Sequence, residues 1–182
     1  MTSLKLITQL LGEQFKSAIF KSFLEQVAFS ANIPIPNPEI KAYPDAVYFN
    51  YYTLGISFMF IPTTNQKTMT DLDYDEHILD GIDIYNSSDK EKSPYTTFPL
   101  LPFRIESSED SELTTNSTGQ DIVRALGEPG RKGGGSGPLS GSISIWCEWG
   151  SKGIMVEFGG DNARGPQAWE RGKDARWKLH NL

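Results

Sequence analysis

Two stretches of this chain alternate apolar and polar residues, and each alternation is interrupted once by a glycine-containing turn. Val47, Phe49 and Tyr51 alternate, Thr53-Leu54-Gly55 turns, and Ile56, Phe58 and Phe60 alternate back. Later, Ile143, Ile145, Cys147 and Trp149 alternate, Gly150-Ser151-Lys152-Gly153 turns, and Ile154, Val156 and Phe158 return. A period of two sends successive side chains to opposite faces of a sheet, so each stretch predicts an antiparallel hairpin with one apolar face. An apolar sheet face has to be covered, and helical segments supply the cover.

Two helices are expected. From a cap at Thr2 or Ser3, the residues Leu4, Ile7, Leu11, Phe15, Ile19, Phe23 and Val27 recur every three or four positions, widened by Leu10, Phe20 and Leu24. This spacing predicts one helix through the first thirty residues, stopped by Ile33-Pro34-Ile35-Pro36-Asn37-Pro38 because proline removes backbone donors. A second, shorter helix is capped at Ser117 or Thr118 with Asp121 following, shows Ile122, Val123, Ala125 and Leu126 on one face, and ends at Gly127. Ile78, Ile82, Ile84 and Tyr85 predict a third strand. Tyr95 to Ile105 predicts a fourth, at an edge because of Pro99 and Pro102, and residues 176–179 a last short strand. The polar run 106–117 reads as a linker. The expected organisation is a first helix–hairpin unit over 1–105, an acidic linker over 106–117 and a second helix–hairpin unit over 118–182, together one compact α+β domain whose helices cover one face of an antiparallel sheet.

The two units are expected to be related by duplication. With an offset of 98 residues, Tyr51 meets Trp149, Gly55-Ile56 meets Gly153-Ile154, Phe58 meets Val156 and Phe60 meets Phe158. The order helix, proline-containing loop, hairpin and further strand also recurs. The competing reading is that any two amphipathic hairpins align this well. The run Thr118-Gly119-Gln120-Asp121-Ile122-Val123-Arg124-Ala125-Leu126-Gly127-Glu128-Pro129, followed by an aromatic hairpin, resembles the helix-then-hairpin unit of the BamE/SmpA lipoproteins and of the tandem β-lactamase inhibitor proteins. Tyr48-Phe49-Asn50-Tyr51-Tyr52-Thr53-Leu54-Gly55-Ile56 is similar to a stretch of the phagosome assembly factor family. The lipidated cysteine of the lipoproteins has no counterpart here. The resemblance implies a sheet-and-helix scaffold used for protein contacts and carries over no catalytic residue.

Charge narrows the classes of partner. Seventeen basic residues stand against 23 acidic ones, a formal net charge of -6, which argues against a polyanion such as nucleic acid. The acids are concentrated: residues 61–121 hold 13 acids and 4 bases. Within them Asp71, Asp73, Asp75 and Glu76 read as a solvated acidic loop. An EF-hand is the alternative for their spacing, but Glu76 occupies the glycine position and Ile82 the closing glutamate position. Lys16, Lys21, Glu13 and Glu25 interrupt the apolar N-terminal run, so no transmembrane segment is expected. One cysteine and two histidines, His77 and His180, offer neither a disulfide nor a closed zinc site. The expected setting is cytoplasmic, with peripheral membrane attachment one form it takes, and with no metal and no cofactor.

The chemistry-bearing motifs are weak. In Gly130-Arg131-Lys132-Gly133-Gly134-Gly135-Ser136-Gly137-Pro138, the lysine precedes the glycines and the helix precedes the loop, the reverse of a phosphate-binding loop. The loop is read as a connection whose Arg131 and Lys132 grip a carboxylate or phosphate on a partner. Cys147 shares the strand face of Ile143 and Ile145, which predicts burial rather than nucleophilic work. Alternation leaves Tyr48, Asn50, Tyr52, Trp146 and Glu148 on the faces away from the helices. They are either packed beneath further loops or part of an aromatic binding surface. The leading expectation is a non-enzymatic protein-interaction domain, an adaptor, inhibitor or immunity-type protein, contacting a partner through Tyr48, Tyr52, Arg131, Lys132, Trp146 and Glu148. The alternative is a hydrolase or small-molecule-binding protein with its site between the two units.

Overall fold

The structure, a computed structural model, describes residues 2–63, 76–87, 93–105, 112–135 and 143–182. In chain order its elements are β1 (Thr2–Ser3), α1 (Leu4–Thr8), α2 (Ala18–Ser30), β2 (Glu39–Ala42), β3 (Val47–Tyr51), β4 (Ile56–Pro62), β5 (His77–Tyr85), β6 (Phe103–Arg104), β7 (Glu112–Leu113), α3 (Gly119–Leu126), β8 (Arg131–Gly133), β9 (Trp146–Trp149), β10 (Ile154–Phe158), α4 (Ala168–Arg171) and β11 (Trp177–Asn181). The class is α+β with antiparallel sheet. The chain forms two compact units, residues 5–100 and residues 1–4 with 101–182. Among the described residues no helix is long and apolar enough to cross a membrane.

In the unit formed by residues 5–100, β2, β3, β4 and β5 pair in succession as an antiparallel meander. The expected hairpin is present. Tyr51 pairs with Ile56 across a 3-10 turn at Tyr52–Leu54, and Gly55 closes it with φ +62°, a left-handed conformation that costs a side-chain-bearing residue about 1–2 kcal/mol. The inward residues Val47, Phe49, Tyr51, Ile56, Phe58, Phe60, Ile82 and Ile84 are fully buried. Helix α2 covers them, with the Phe20 ring 4.8 Å from Phe58 and 5.5 Å from Phe60. Each such phenylalanine contributes about 2–3 kcal/mol of transfer free energy.

The single N-terminal helix expected from the spacing is instead two pieces. Gly12 takes φ +86°, its N–H donates to the Leu79 carbonyl at 2.8 Å, and Leu79 N–H donates to the Glu13 carbonyl at 2.9 Å. The chain is thereby tied to β5, and a new helix starts where the Ser17 side chain accepts the Phe20 N–H at 3.2 Å. This restart resets the helical phase. Phe20, Phe23, Leu24 and Val27 face the core, while Ile19 is exposed. Helix α2 ends ahead of the prolines, with Asn32 at φ +55°.

The expected strand from Tyr95 to Ile105 reduces to Phe103–Arg104. Upstream, the chain crosses the open face of the sheet, with Thr96 N–H donating to the Tyr52 carbonyl and Phe98 N–H to the Tyr85 carbonyl, both at 2.9 Å. Proline-interrupted backbone makes these separate anchoring bonds instead of a continuous ladder.

The other unit carries a second antiparallel meander, β8, β9, β10 and β11, and a small sheet in which β6 lies between β1 and β7. Its hairpin turn repeats the first one's geometry. Trp149 at φ -110°, ψ 76° leads into a 3-10 turn closed by Gly153 at φ 64°, ψ 30°; in the first hairpin Tyr51 at φ -97°, ψ 76° leads to Gly55 at φ 62°, ψ 33°. Helix α3 has the expected capping box: Thr118 N–H donates to Asp121 Oδ2 at 2.9 Å, and the Thr118 hydroxyl donates to the same oxygen at 2.8 Å. The buried tryptophans satisfy their indole N–H groups on carbonyls, Trp149 on Gly127 at 2.8 Å and Trp177 on Thr114 at 2.7 Å. Within the segment read as a linker, Glu112–Leu113 is strand and Leu113 is fully buried. Asp71, Asp73 and Asp75, residues 106–111 and residues 136–142 lie outside the described residues.

Candidate functional site

Each meander has one face packed on helices and one face turned away from them, and the residues expected to bind a partner lie on or near the second kind of face. On the unit containing β8–β11, the outward residues of β9 are Trp146 and Glu148, since Cys147 and Trp149 point into the core. Register places Arg131 opposite Glu148 and Gly133 opposite Trp146. The part of the glycine-rich stretch expected as a loop, Arg131–Gly133, is therefore an edge strand. Its alternation separates the two cations that were expected to act together. Arg131 lies on the open face and Lys132 on the other, where its ammonium stands 5.4 Å from the centre of the Trp169 ring.

On the open face Arg131 forms an ion pair with Glu148 at 3.1 Å, and its guanidinium carbon lies 5.9 Å from the Trp146 ring centre. The guanidinium is largely exposed, so the pair is worth at most about 1 kcal/mol; what it does is hold the arginine beside the indole. The indole itself has a seat, because a β-carbon on Gly133 would fall 2.5 Å from Trp146 Cζ2. Glu157, opposite Trp146 on β10, pairs with Lys178 at 3.2 Å. Half-buried Trp146 thus sits within a lattice of charged neighbours. Burial pushes the Cys147 thiol pKa up, which keeps it protonated and poorly nucleophilic at neutral pH.

On residues 5–100, register lines up Lys41, Tyr48, Met59 and Gly81 in one row and Glu39, Asn50, Ser57 and Asp83 in the next. Asn50, expected outward, is indeed on this face but buried, as is Ser57. The reason is Tyr95, which arrives from the covering segment. Its hydroxyl donates to Asn50 Oδ1 at 2.6 Å, Ser57 Oγ donates to the same oxygen at 2.8 Å, and Asn50 Nδ2 donates to the Glu39 carbonyl at 3.2 Å. A buried polar group needs such partners to offset its desolvation. The Tyr95 ring stacks on Tyr85 at 3.6 Å and tilts against Tyr52 at 4.7 Å. Burial raises the Tyr95 pKa. Tyr52 donates its hydroxyl to Glu39, an interaction that raises its own pKa, so it serves this cluster more than the open surface.

Tyr48 has the opposite fate. It is half-buried, lining a basin of about 630 Å³ together with Lys41, Asp45, Met59, Asp80 and Asp83. Burial raises the Tyr48 pKa first of all, and the charges of Asp83 and Asp45 raise it further. Asp83 was legible from the alternation of β5, where Ile82 and Ile84 point inward. Asp80 was not, because it reaches this face only through an irregularity in the β4–β5 register. Among the described residues, no group of three or more His, Cys, Asp or Glu is placed to hold a metal ion.

No protein-family model matches the chain, and neither does any curated protein or any solved structure.

Proposed function

We propose that this chain is a non-enzymatic protein-interaction module, an adaptor, inhibitor or immunity-type protein, that engages its partner through the open sheet faces. The observation that carries the reading is the Trp146 arrangement: an indole seated on Gly133, flanked by Arg131 and with Glu148 fixing the arginine. Tryptophan and arginine dominate the energetics of protein interfaces, and side chains already held in place lose less freedom on binding. Trp146, Arg131 and Glu148 form the contact on one unit, Tyr48 contributes on the other, and Tyr52 supports its own face from beneath; Lys132, on the opposite face of its strand beside Trp169, stands apart from this contact. The matching hairpin turns and the shared four-strand meander support an origin of the two units by duplication. A chain whose one cysteine is a buried thiol suits a reducing cytoplasmic setting.

The test is affinity capture of the tagged chain from extract of its own cells, compared with the Trp146→Ala, Arg131→Ala double variant, with mass spectrometry as readout. A stoichiometric protein retained by the wild type and lost by the variant is the expected outcome. Retention of the same protein by both would remove this face from the interface, and capture of none would count against the module itself.

A further inference from the structure

Half of the large apolar side chains that lie exposed among the described residues fall in one short stretch. Phe29, Ile33, Ile35, Ile40 and Tyr43 are five of ten, and Phe29 at 86% is the most exposed of them. The stretch contains Ile33-Pro34-Ile35-Pro36-Asn37-Pro38, in which every residue is either a proline or the residue before one. Proline fixes φ at about -65° and keeps its predecessor out of the helical region, so all six are held in extended, polyproline-II-like backbone. Their X-Pro bonds are trans and none of the six has positive φ. The rod is tied at both ends. Asn32 N–H donates to the Phe29 carbonyl at 3.0 Å and Ile33 N–H to the Ala28 carbonyl at 3.1 Å, closing α2; beyond the prolines, Glu39 pairs with Asn50 of β3, and its carbonyl accepts Asn50 Nδ2. Between these anchors residues 34–38 make no backbone hydrogen bond to any described residue. Ile33, Pro34, Ile35 and Asn37 are exposed, while Pro36 and Pro38 are half-buried.

We propose that Ile33-Pro34-Ile35-Pro36-Asn37-Pro38 is a docking rod for a partner domain whose groove is lined with aromatic rings and takes polyproline-II backbone. The inference goes beyond the Trp146 contact and does not depend on it. A rod already held in its bound shape loses little conformational freedom on docking. Ile33 and Ile35 supply apolar contact, the prolines pack on the rings, and the carbonyls between them accept hydrogen bonds from indole or phenol donors of the groove. The same residues disfavour two other occupants. A second copy of the segment cannot add to it as a β-strand, because every second residue lacks the N–H that a ladder requires. An anionic lipid surface would call for a basic cluster, whereas residues 29–43 carry one lysine and one glutamate.

The experiment follows the isoleucine methyl resonances of the full chain as purified SH3 and WW domains are added, each beside a version whose groove tryptophan is replaced by alanine. The Ile33 and Ile35 methyls, assigned through Ile33→Val and Ile35→Val, are expected to shift with an intact domain and to stay in place with its groove variant. Those of the buried Ile82 and Ile84 should not move. These wild-type shifts do not rely on the folding of any variant. Pro34→Ala with Pro36→Ala is expected to weaken binding about tenfold, because the free segment then has more conformations to lose, and Trp146→Ala to leave it unchanged. Silence of Ile33 and Ile35 with both kinds of domain would overturn the proposal, and so would binding that survives the double proline change. Shifts that follow the concentration of the chain alone would replace it by self-association. Shifts produced by phosphatidylcholine–phosphatidylserine vesicles and by neither domain would replace it by a lipid surface. Each of these results leaves the Trp146 contact to its own capture experiment.

Discussion

Trp146 and Gly133 stand opposite each other on β9 and β8, and the indole lies where the glycine's side chain would have been. The contact explains a glycine in an edge strand without any appeal to unusual dihedral angles. It also makes the orientation of Trp146 sensitive to a single methyl group. Gly133→Ala is expected to displace the indole, increasing acrylamide quenching of its fluorescence measured with Trp146→Phe as the reference. Partner capture should weaken about as much as with Trp146→Ala, while thermal stability changes by less than about 1 kcal/mol. Unchanged quenching would show that the ring does not rest on this glycine.

The two hairpin turns share their dihedral angles but not their surroundings. A β-carbon on Gly153 would meet nothing within 4 Å, whereas on Gly55 it would run into the Thr96 carbonyl oxygen and lie 2.7 Å from Phe98 N. Gly153→Ala is therefore expected to cost about 1–2 kcal/mol, the price of left-handed backbone alone. Gly55→Ala should cost more, because the segment bearing Tyr95 has to move off the sheet as well. Urea denaturation of the two variants compares them directly. Equal losses would mean that the covering segment contributes little to stability.

Phe58 lies at the centre of the first core, fully buried and in edge contact with Phe20, Phe23 and Tyr51. Phe58→Ala is expected to destabilise the chain by about 3–5 kcal/mol, since the surrounding rings cannot collapse fully into the space. The midpoint of chemical denaturation should fall accordingly with little change in slope. A loss below about 1 kcal/mol would be incompatible with this packing.

Asp121 carries a pH signature. The Thr118 backbone N–H, and after it the Thr118 hydroxyl and Arg124, hold its carboxyl pKa below the ordinary value. A depressed folded-state pKa means that the folded state favours the ionised form. The stabilisation is complete above the unfolded pKa of about 4 and disappears as pH falls through the lower folded value. Asp121→Asn is expected to cost about 0.5–1 kcal/mol at pH 7, and the wild-type advantage should shrink as pH falls below about 4. Thermal melts of both proteins across that range provide the check, and an advantage independent of pH would contradict the capping role.

How much was legible in the sequence differs by element. The alternation of Val47 to Phe60 and of Ile143 to Phe158 located both hairpins and their glycine turns, because a period of two and a left-handed turn are local properties. The first strand of the second hairpin is shorter than its alternation: it starts at Trp146, and Ile143, expected on the buried face, is exposed. The capping box of α3 was equally local. The break at Gly12 was not, since it is held by hydrogen bonds to Leu79, a residue far along the chain. The same applies to the open faces. Alternation alone assigned Tyr48, Asn50, Trp146 and Glu148 to their sides of the sheet. Only tertiary structure decided that Tyr95 would cover Asn50, that Tyr48 would line a basin with Asp80 and Asp83, and that Arg131 and Lys132, adjacent in sequence, would point to opposite faces of a strand. Covering and pairing depend on segments remote in sequence, and no local period records where those segments come to lie.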